Sequence, residues 1–113
     1  MSTQAGNSRY SDMLYVEQPA EQTRNAVGDL VETKEAEFVK WGYCREETNG
    51  GGKLLEDASG TMLAYESEVY LHSLCSAVPV NSCIKVFNAA GIEVLHGRVK
   101  RYKRYKHYAK IWV

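Results

Sequence analysis

The C-terminal tract of the chain, residues 98–112, interleaves basic and aromatic side chains. Lysine and arginine contact phosphate groups, and aromatic rings stack on bases. The tract therefore predicts either a nucleic-acid surface or a basic hairpin that faces solvent or an acidic protein partner. The zero net charge of the chain favours the second interpretation, because dedicated nucleic-acid-binding domains are usually basic. The residues expected to contact DNA or a protein partner are Arg98, Lys100, Arg101, Lys103, Arg104 and Lys106.

A second candidate is the glycine-rich segment of residues 48–60, TNGGGKLLEDASG. Its GGGK run is not a phosphate-binding loop, because Glu47 stands where that motif needs its first glycine and Leu54 stands where it needs Ser or Thr. Three consecutive glycines are costly to fix in a regular element, so the segment is predicted to be a long flexible loop. Leu54 and Leu55 are unusual in such a loop. They are expected either to meet other apolar surfaces in an assembly or to fold back and start a short strand.

Cysteine and histidine give little sign of catalytic or metal chemistry. Cys44, Cys75 and Cys83 form no CxxC pair, and they are expected to be small buried thiols in a reducing compartment. The three histidines are scattered along the chain, so no metal ligand and no cofactor is assigned. The chain has no GxSxG or HExxH motif, and the sequence gives no positive reason to expect an enzyme.

The length and composition indicate one globular domain. The chain has 113 residues, of which 44% are hydrophobic and 25% charged, which is enough for a core without disulfides or metal. No stretch approaches the roughly 20 apolar residues of a membrane helix, and the polar start is not a secretory signal. We therefore expect a protein made and used in a cytoplasm, or assembled there into a particle. Residues 1–9 are expected to form a flexible arm and residues 10–113 the domain.

Charge is segregated along the chain. Residues 1–60 carry six basic and eleven acidic side chains, whereas residues 61–113 carry eight basic and three acidic ones. A chain with oppositely charged halves can stack on copies of itself or on a charged partner.

Hydrophobic alternation predicts strands throughout. Residues 61–72 alternate with period 2, and residues 38–44 and 108–113 are rich in aromatic and β-branched side chains. The turn at Asn88–Gly91 predicts a hairpin, with Gly91 in the left-handed conformation. The predicted fold is all-β, a small antiparallel β-barrel of about six strands with one long inserted loop at residues 48–60. The side chains predicted to be buried include Ile84, Val86, Ile92, Val94, Ile111 and Val113.

The order of these features resembles the bacteriophage head-tail joining family, also called head-closure or stopper proteins. The matching features are the first strand RYSDMLYV (residues 9–16), a turn at Gly28-Asp29, Trp41-Gly42 leading to Glu46-Glu47, the long loop, the Val78-Pro79-Val80 segment and the closing strand YAKIWV (residues 108–113). The resemblance covers most of residues 9–113.

This resemblance implies a structural component of a phage neck, located in the virion and assembled in the host cytoplasm. Family members are small β-barrels that form rings below the portal and its adaptor and above the tail, where a long loop retains the packaged double-stranded DNA. Carried over to this chain, the channel-gating loop comprises Thr48, Asn49, Gly50, Gly51, Gly52, Lys53, Leu54, Leu55, Glu56 and Asp57. The alternative function is nucleic-acid binding by a small β-barrel through its basic C-terminal hairpin.

Overall fold

A computed structural model describes residues 10–56 and 59–113 of the chain, and this part of the chain is all-β. Strands make up 58% of it, and it contains no helix. The strands are β1 (Asp12–Gln18), β2 (Glu21–Arg24), β3 (Leu30–Lys34), β4 (Glu37–Thr48), β5 (Leu54–Glu56), β6 (Met62–Ala64), β7 (Ser67–His72), β8 (Cys83–Phe87), β9 (Glu93–Arg98), β10 (Arg101–Arg104) and β11 (Tyr108–Trp112). The predicted fold class is therefore confirmed. The proposed N-terminal arm, residues 1–9, and Asp57 of the proposed gating loop lie outside the described residues.

Seven strands form one curled antiparallel sheet in the order β10-β11-β7-β4-β1-β8-β9, which has the shape of a half-barrel. Two further hairpins, β2–β3 and β5–β6, form separate two-stranded sheets. The described part thus has more strands than the six or so that were predicted. Within residues 10–56 and 59–113 there is no apolar helix of membrane-spanning length.

The core lies on the concave side of the sheet, and alternation along each strand selects its members. Its fully buried side chains include Leu14 and Val16 of β1, Val69 and Leu71 of β7, Ile84 and Val86 of β8, and Ala109 and Ile111 of β11. Burial of one large apolar side chain contributes about 1.5–3 kcal/mol. The predicted burial of Ile84, Val86, Ile111 and Val113 is confirmed.

The burial predicted for Ile92 and Val94 is wrong, since these side chains are 61% and 42% exposed. The Asn88–Gly91 turn forms as predicted, with Gly91 at a φ of 81°. However, the register shifts after Val86, which pairs with Leu95, while Phe87 pairs with Glu93. Val94 is therefore an extra residue in β9, and Leu95 takes the inward position instead.

Strand β4 contains a bulge at Trp41, opposite the middle of β1. Leu14 of β1 pairs with Gly42 and Tyr15 pairs with Lys40, so Trp41 has no partner on β1. Its indole Nε1 donates a hydrogen bond to the Ser76 carbonyl at 2.9 Å. This contact attaches the β7–β8 connection to β4.

The two edges of the seven-stranded sheet meet where β9 runs into β10. Only Val99 and Lys100 separate these strands, although they stand at opposite ends of the strand order. The Val99 amide donates to the Ser82 carbonyl, next to β8, and the Lys100 amide donates to the Trp112 carbonyl of β11. This junction therefore joins the two sides of the half-barrel at one end.

Candidate functional site

The proposed gating loop is fastened at its base. The Asn49 side chain accepts a hydrogen bond from the Lys53 amide at 3.2 Å and donates to the Lys53 and Tyr65 carbonyls at 3.0 and 2.9 Å. The Asn49 amide donates to the Glu66 carbonyl at 2.7 Å. Residues 50–53 are exposed beyond these contacts, so they form a short lobe with an anchored base.

Residues 48–60 are not one continuous loop, so the long loop is corrected and the alternative of a short strand at Leu54 and Leu55 is the one that forms. Thr48 is the last residue of β4, and Leu54–Glu56 form β5, which pairs with β6. Leu55 is only 7% exposed, because it packs with Tyr65 and Trp112, whereas Leu54 on the opposite face is 57% exposed. Of the two leucines, Leu54 alone is available to a partner.

Four basic side chains of the C-terminal tract are held by main-chain carbonyls of the same chain. They are Arg98, bonded to Asn81 at 2.9 Å, Lys100, bonded to Ala64 at 2.7 Å, Arg101, bonded to Glu56 at 2.6 Å, and Arg104, bonded to Ser73 and Cys75 at 2.7 Å each. Carbonyl acceptors leave the positive charge uncompensated. Arg98, Lys100 and Arg104 are exposed and Arg101 is half-buried, so the surface remains basic while its geometry is fixed.

The tip of the β10–β11 hairpin carries exposed lysines beside stacked tyrosines. Lys103 and Lys106 are exposed, and Lys103 Nζ lies 5.1 Å from the centre of the Tyr105 ring. The rings of Tyr105 and Tyr108 stack with centres 4.7 Å apart and planes inclined by 18°. We call residues 103–107 the basic turn, because they include Lys103, Arg104 and Lys106 and no acid.

A charged pair that sequence reasoning missed lies on the outer face of β7 and β11. Lys110 Nζ lies 2.7 Å from Glu68 Oε2, and both residues are half-buried. Burial by itself would raise the pKa of Glu68, but the hydrogen bond and positive charge of Lys110 outweigh it, and the pKa lies below its ordinary value of 4.5. Strand register brings the two residues together, which one sequence cannot show.

The β2–β3 hairpin was also missed. Every residue from 19 to 32 is exposed, and neither strand pairs with the seven-stranded sheet. Val27 at the turn is 79% exposed and Leu30 is 60% exposed. Residues 19–36 also carry four acids and two bases, and we call them the acidic hairpin. The only sequence signal was the Gly28-Asp29 turn, and Gly28 does adopt a φ of 90°.

Two open clefts lined by aromatic side chains lie at the surface of the described part of the chain. One, of about 410 Å³, is lined by Tyr10, Trp41, Tyr43, His72, Leu74, Cys75 and Ser76, and we call it the aromatic cleft. The other, of about 520 Å³, is lined by residues that include Tyr15, Phe38, Lys40, Lys85 and Phe87.

Cys44, Cys75 and Cys83 are free thiols. Cys44 is buried, as predicted, while Cys75 and Cys83 are half-buried. Burial raises the pKa of the Cys44 and Cys75 thiols, which disfavours the nucleophilic thiolate. Cys83 Sγ lies 3.3 Å from His96 Nε2. In the described part of the chain, no three His, Cys, Asp or Glu side chains gather in a metal-binding arrangement.

Comparison of the chain with protein-family models, curated proteins and solved structures found no match.

Proposed function

We propose that the chain is a structural component of a phage neck, where it forms a homo-oligomeric ring, joins head to tail and closes the portal channel. The observation that carries this proposal is the exposure of apolar side chains on hairpins outside the core of the half-barrel. Leu30 on β2–β3 and Leu54 on β5–β6 are examples. Exposed apolar side chains on such elements suit contacts with other protein chains. The resemblance to head-closure proteins supports the same function.

The proposed gate contains fewer residues than the sequence analysis assigned to it. It consists of the glycines Gly50, Gly51 and Gly52 and the exposed Leu54, since Leu55 packs beside Trp112. Copies of Leu54 in a ring would meet across the axis and hold back the double-stranded DNA. The portal or adaptor would bind one face of the ring and the tail proteins the other.

The gate is tested in the phage that encodes the chain, after deletion of its gene and complementation with variants. Wild-type chain should restore heads that retain DNA and carry tails. Leu54→Glu should join heads to tails but allow DNA to leak, measured as nuclease-sensitive DNA and as empty heads in electron micrographs. Val80→Glu, which changes a similarly exposed residue elsewhere, is the matched control and should retain DNA.

Two outcomes contradict the proposal in different ways. Heads that stay full and tailed without the gene would exclude the neck function. Full heads with Leu54→Glu would leave head-tail joining intact but exclude Leu54 as the gate.

Nucleic-acid binding remains the second candidate because of the Tyr105–Tyr108 stack beside Lys103 and Lys106. Stacked rings and lysines together suit single strands or backbone phosphates. If this is the function, the purified chain should bind DNA with an affinity that falls steeply with salt, and Lys103→Ala with Lys106→Ala should reduce the salt slope. The neck function instead predicts little binding at physiological salt.

A further inference from the structure

We propose that the acidic hairpin of one copy docks into the aromatic cleft and against the basic turn of a second copy. This inference rests on the proposed function, because it names the contact that would build the ring. The occupant of the cleft is thus the Val27–Leu30 end of a hairpin from an identical chain.

Within residues 10–56 and 59–113, the strands of the acidic hairpin pair only with each other, and residues 19–32 are exposed. A two-stranded hairpin alone is at best marginally stable in water. Its turn nevertheless presents Val27 and Leu30 to solvent, with Asp29 between them and Glu32 two residues further on. Apolar anchors flanked by carboxylates call for an apolar cleft with a positively charged rim.

The aromatic cleft has that character. Trp41, Tyr43 and Leu74 provide apolar surface, and Leu74 is 86% exposed. Arg104 donates hydrogen bonds to the carbonyls of Ser73 and Cys75, on either side of Leu74, which places the basic turn at the rim of the cleft. A cleft of about 410 Å³ is large enough to receive apolar side chains of the size of leucine and valine.

The hairpin and the cleft lie toward opposite ends of β1, so the contact joins different surfaces of two copies. Strand register aligns Asp12, Cys44, Leu71, Ala109 and Arg104 in one row across the sheet. The acidic hairpin instead follows Gln18, six residues further along β1, which is about 20 Å at 3.3 Å per residue. A contact between two different surfaces is heterologous, and repetition of such a contact generates a ring when the rotation closes.

Charge reversal on each side provides the test, because it separates this contact from any other. One variant carries Asp29→Lys and Glu32→Lys, and a second carries Lys103→Glu and Lys106→Glu. Arg104 is left unchanged because its hydrogen bonds to the Ser73 and Cys75 carbonyls stabilise the fold. In each variant alone, the net charges of the acidic hairpin and the basic turn have the same sign, so the two surfaces repel each other. Self-association, measured by sedimentation velocity at low salt, should therefore weaken at least about tenfold relative to wild type. In an equimolar mixture both contacts between unlike chains are attractive, and association should return.

The matched control is Glu66→Lys with Glu93→Lys, which makes the same charge change on exposed residues outside the acidic hairpin, the aromatic cleft and the proposed gate. It should associate as wild type does, and circular dichroism should show that all variants fold. The proposal is overturned if wild type does not self-associate, if either variant alone associates as tightly as wild type, or if the mixture stays dissociated. Failure in this experiment leaves the neck function standing, since that function is judged by DNA retention and tail joining.

Discussion

Four basic side chains connect distant parts of the chain through main-chain carbonyls. Arg98, Lys100, Arg101 and Arg104 reach acceptors 17 to 45 residues away in the sequence. Hydrogen bonds from a charged donor are stronger than those between neutral groups, although exposure to water reduces their net effect. The basic tract therefore contributes to folding as well as to the surface charge, a role that composition alone does not indicate.

This division of roles predicts different effects for two neighbouring residues. Arg104→Ala should lower the free energy of unfolding by about 1 kcal/mol, because it removes two hydrogen bonds to the β7–β8 connection. Lys103→Ala, whose side chain is exposed, should stay within about 0.5 kcal/mol of wild type. Urea unfolding monitored by fluorescence measures both. Equal losses in the two variants would show that the carbonyl contacts of Arg104 do not stabilise the fold.

The Glu68–Lys110 pair predicts how stability depends on pH. The pKa of Glu68 is lowered in the folded chain, so its contribution is complete above the ordinary value of 4.5 and is lost as the pH falls through the lowered pKa. The difference in unfolding free energy between wild type and Glu68→Gln should therefore be largest near neutral pH and shrink toward pH 3. Glu66→Gln, an exposed neighbour, is the control and should differ little from wild type at any pH. A gap for Glu68→Gln that does not change with pH would exclude this role for the pair.

Among the elements, strand β5 of the β5–β6 hairpin has one buried face and one exposed face. Leu55 packs with Tyr65 and Trp112, whereas Leu54 is exposed on the other face. Strand geometry requires this division, since successive side chains point to opposite faces.

Substitution of each leucine separates the two faces. Leu55→Ala should lower the free energy of unfolding by about 2 kcal/mol, because it leaves a cavity beside Trp112. Leu54→Ala should change it by less than about 0.5 kcal/mol. Chemical denaturation provides the measurement. Similar small effects for both would mean that β5 is not docked on the half-barrel.

Sequence patterns predicted the elements with one buried face better than those without one. The face of residues 61–72 that carries Tyr65, Ser67, Val69 and Leu71 is buried as alternation indicated. The segment nevertheless splits into β6 and β7, because the Glu66 amide bonds to the Val113 carbonyl instead of continuing one ladder. The side chains of β2 and β3 up to Glu32 are all exposed, so no hydrophobic period marks these strands.

The candidate sites also differ in how far the sequence predicts them. The basic tract and the glycine-rich segment are visible in composition, and the structure adds which of their side chains are held and which are exposed. The aromatic cleft could not be predicted, because Tyr10, Trp41 and Leu74 come together only through the bulge at Trp41 and the β7–β8 connection. The exposure of Val94 could not be predicted either, since it depends on a bulge in β9 that hydrophobic alternation does not indicate.

At the scale of the whole molecule, closure of the half-barrel depends on a close approach between β9 and the residue that follows β11. A Cβ atom at Gly97 would lie 2.7 Å from Val113 Cγ1. Gly97→Ala should therefore lower the free energy of unfolding by about 1–3 kcal/mol through overpacking. Val113→Ala should also destabilise the fold, by about 2 kcal/mol, because it removes buried methyl groups.

The double variant distinguishes overpacking from a general intolerance of change. With Val113→Ala present, the methyl group of Gly97→Ala has room, so the combined loss should be smaller than the sum of the two single losses by at least about 1 kcal/mol. Thermal and urea unfolding of the four proteins complete the cycle. Strictly additive losses would show that the two positions do not contact each other in the folded chain.

The junction at Val99–Lys100 also bears on aggregation. Unpaired strand edges recruit strands from other molecules, and edge lysines oppose this. The junction covers the edges of β9 and β10 only where they meet, and beyond it β10 carries the exposed Lys103. The uncovered part of β9 presents the exposed Val94 instead. Intermolecular strand addition in concentrated solution should therefore begin along β9, which makes this edge the place for a solubilising charge.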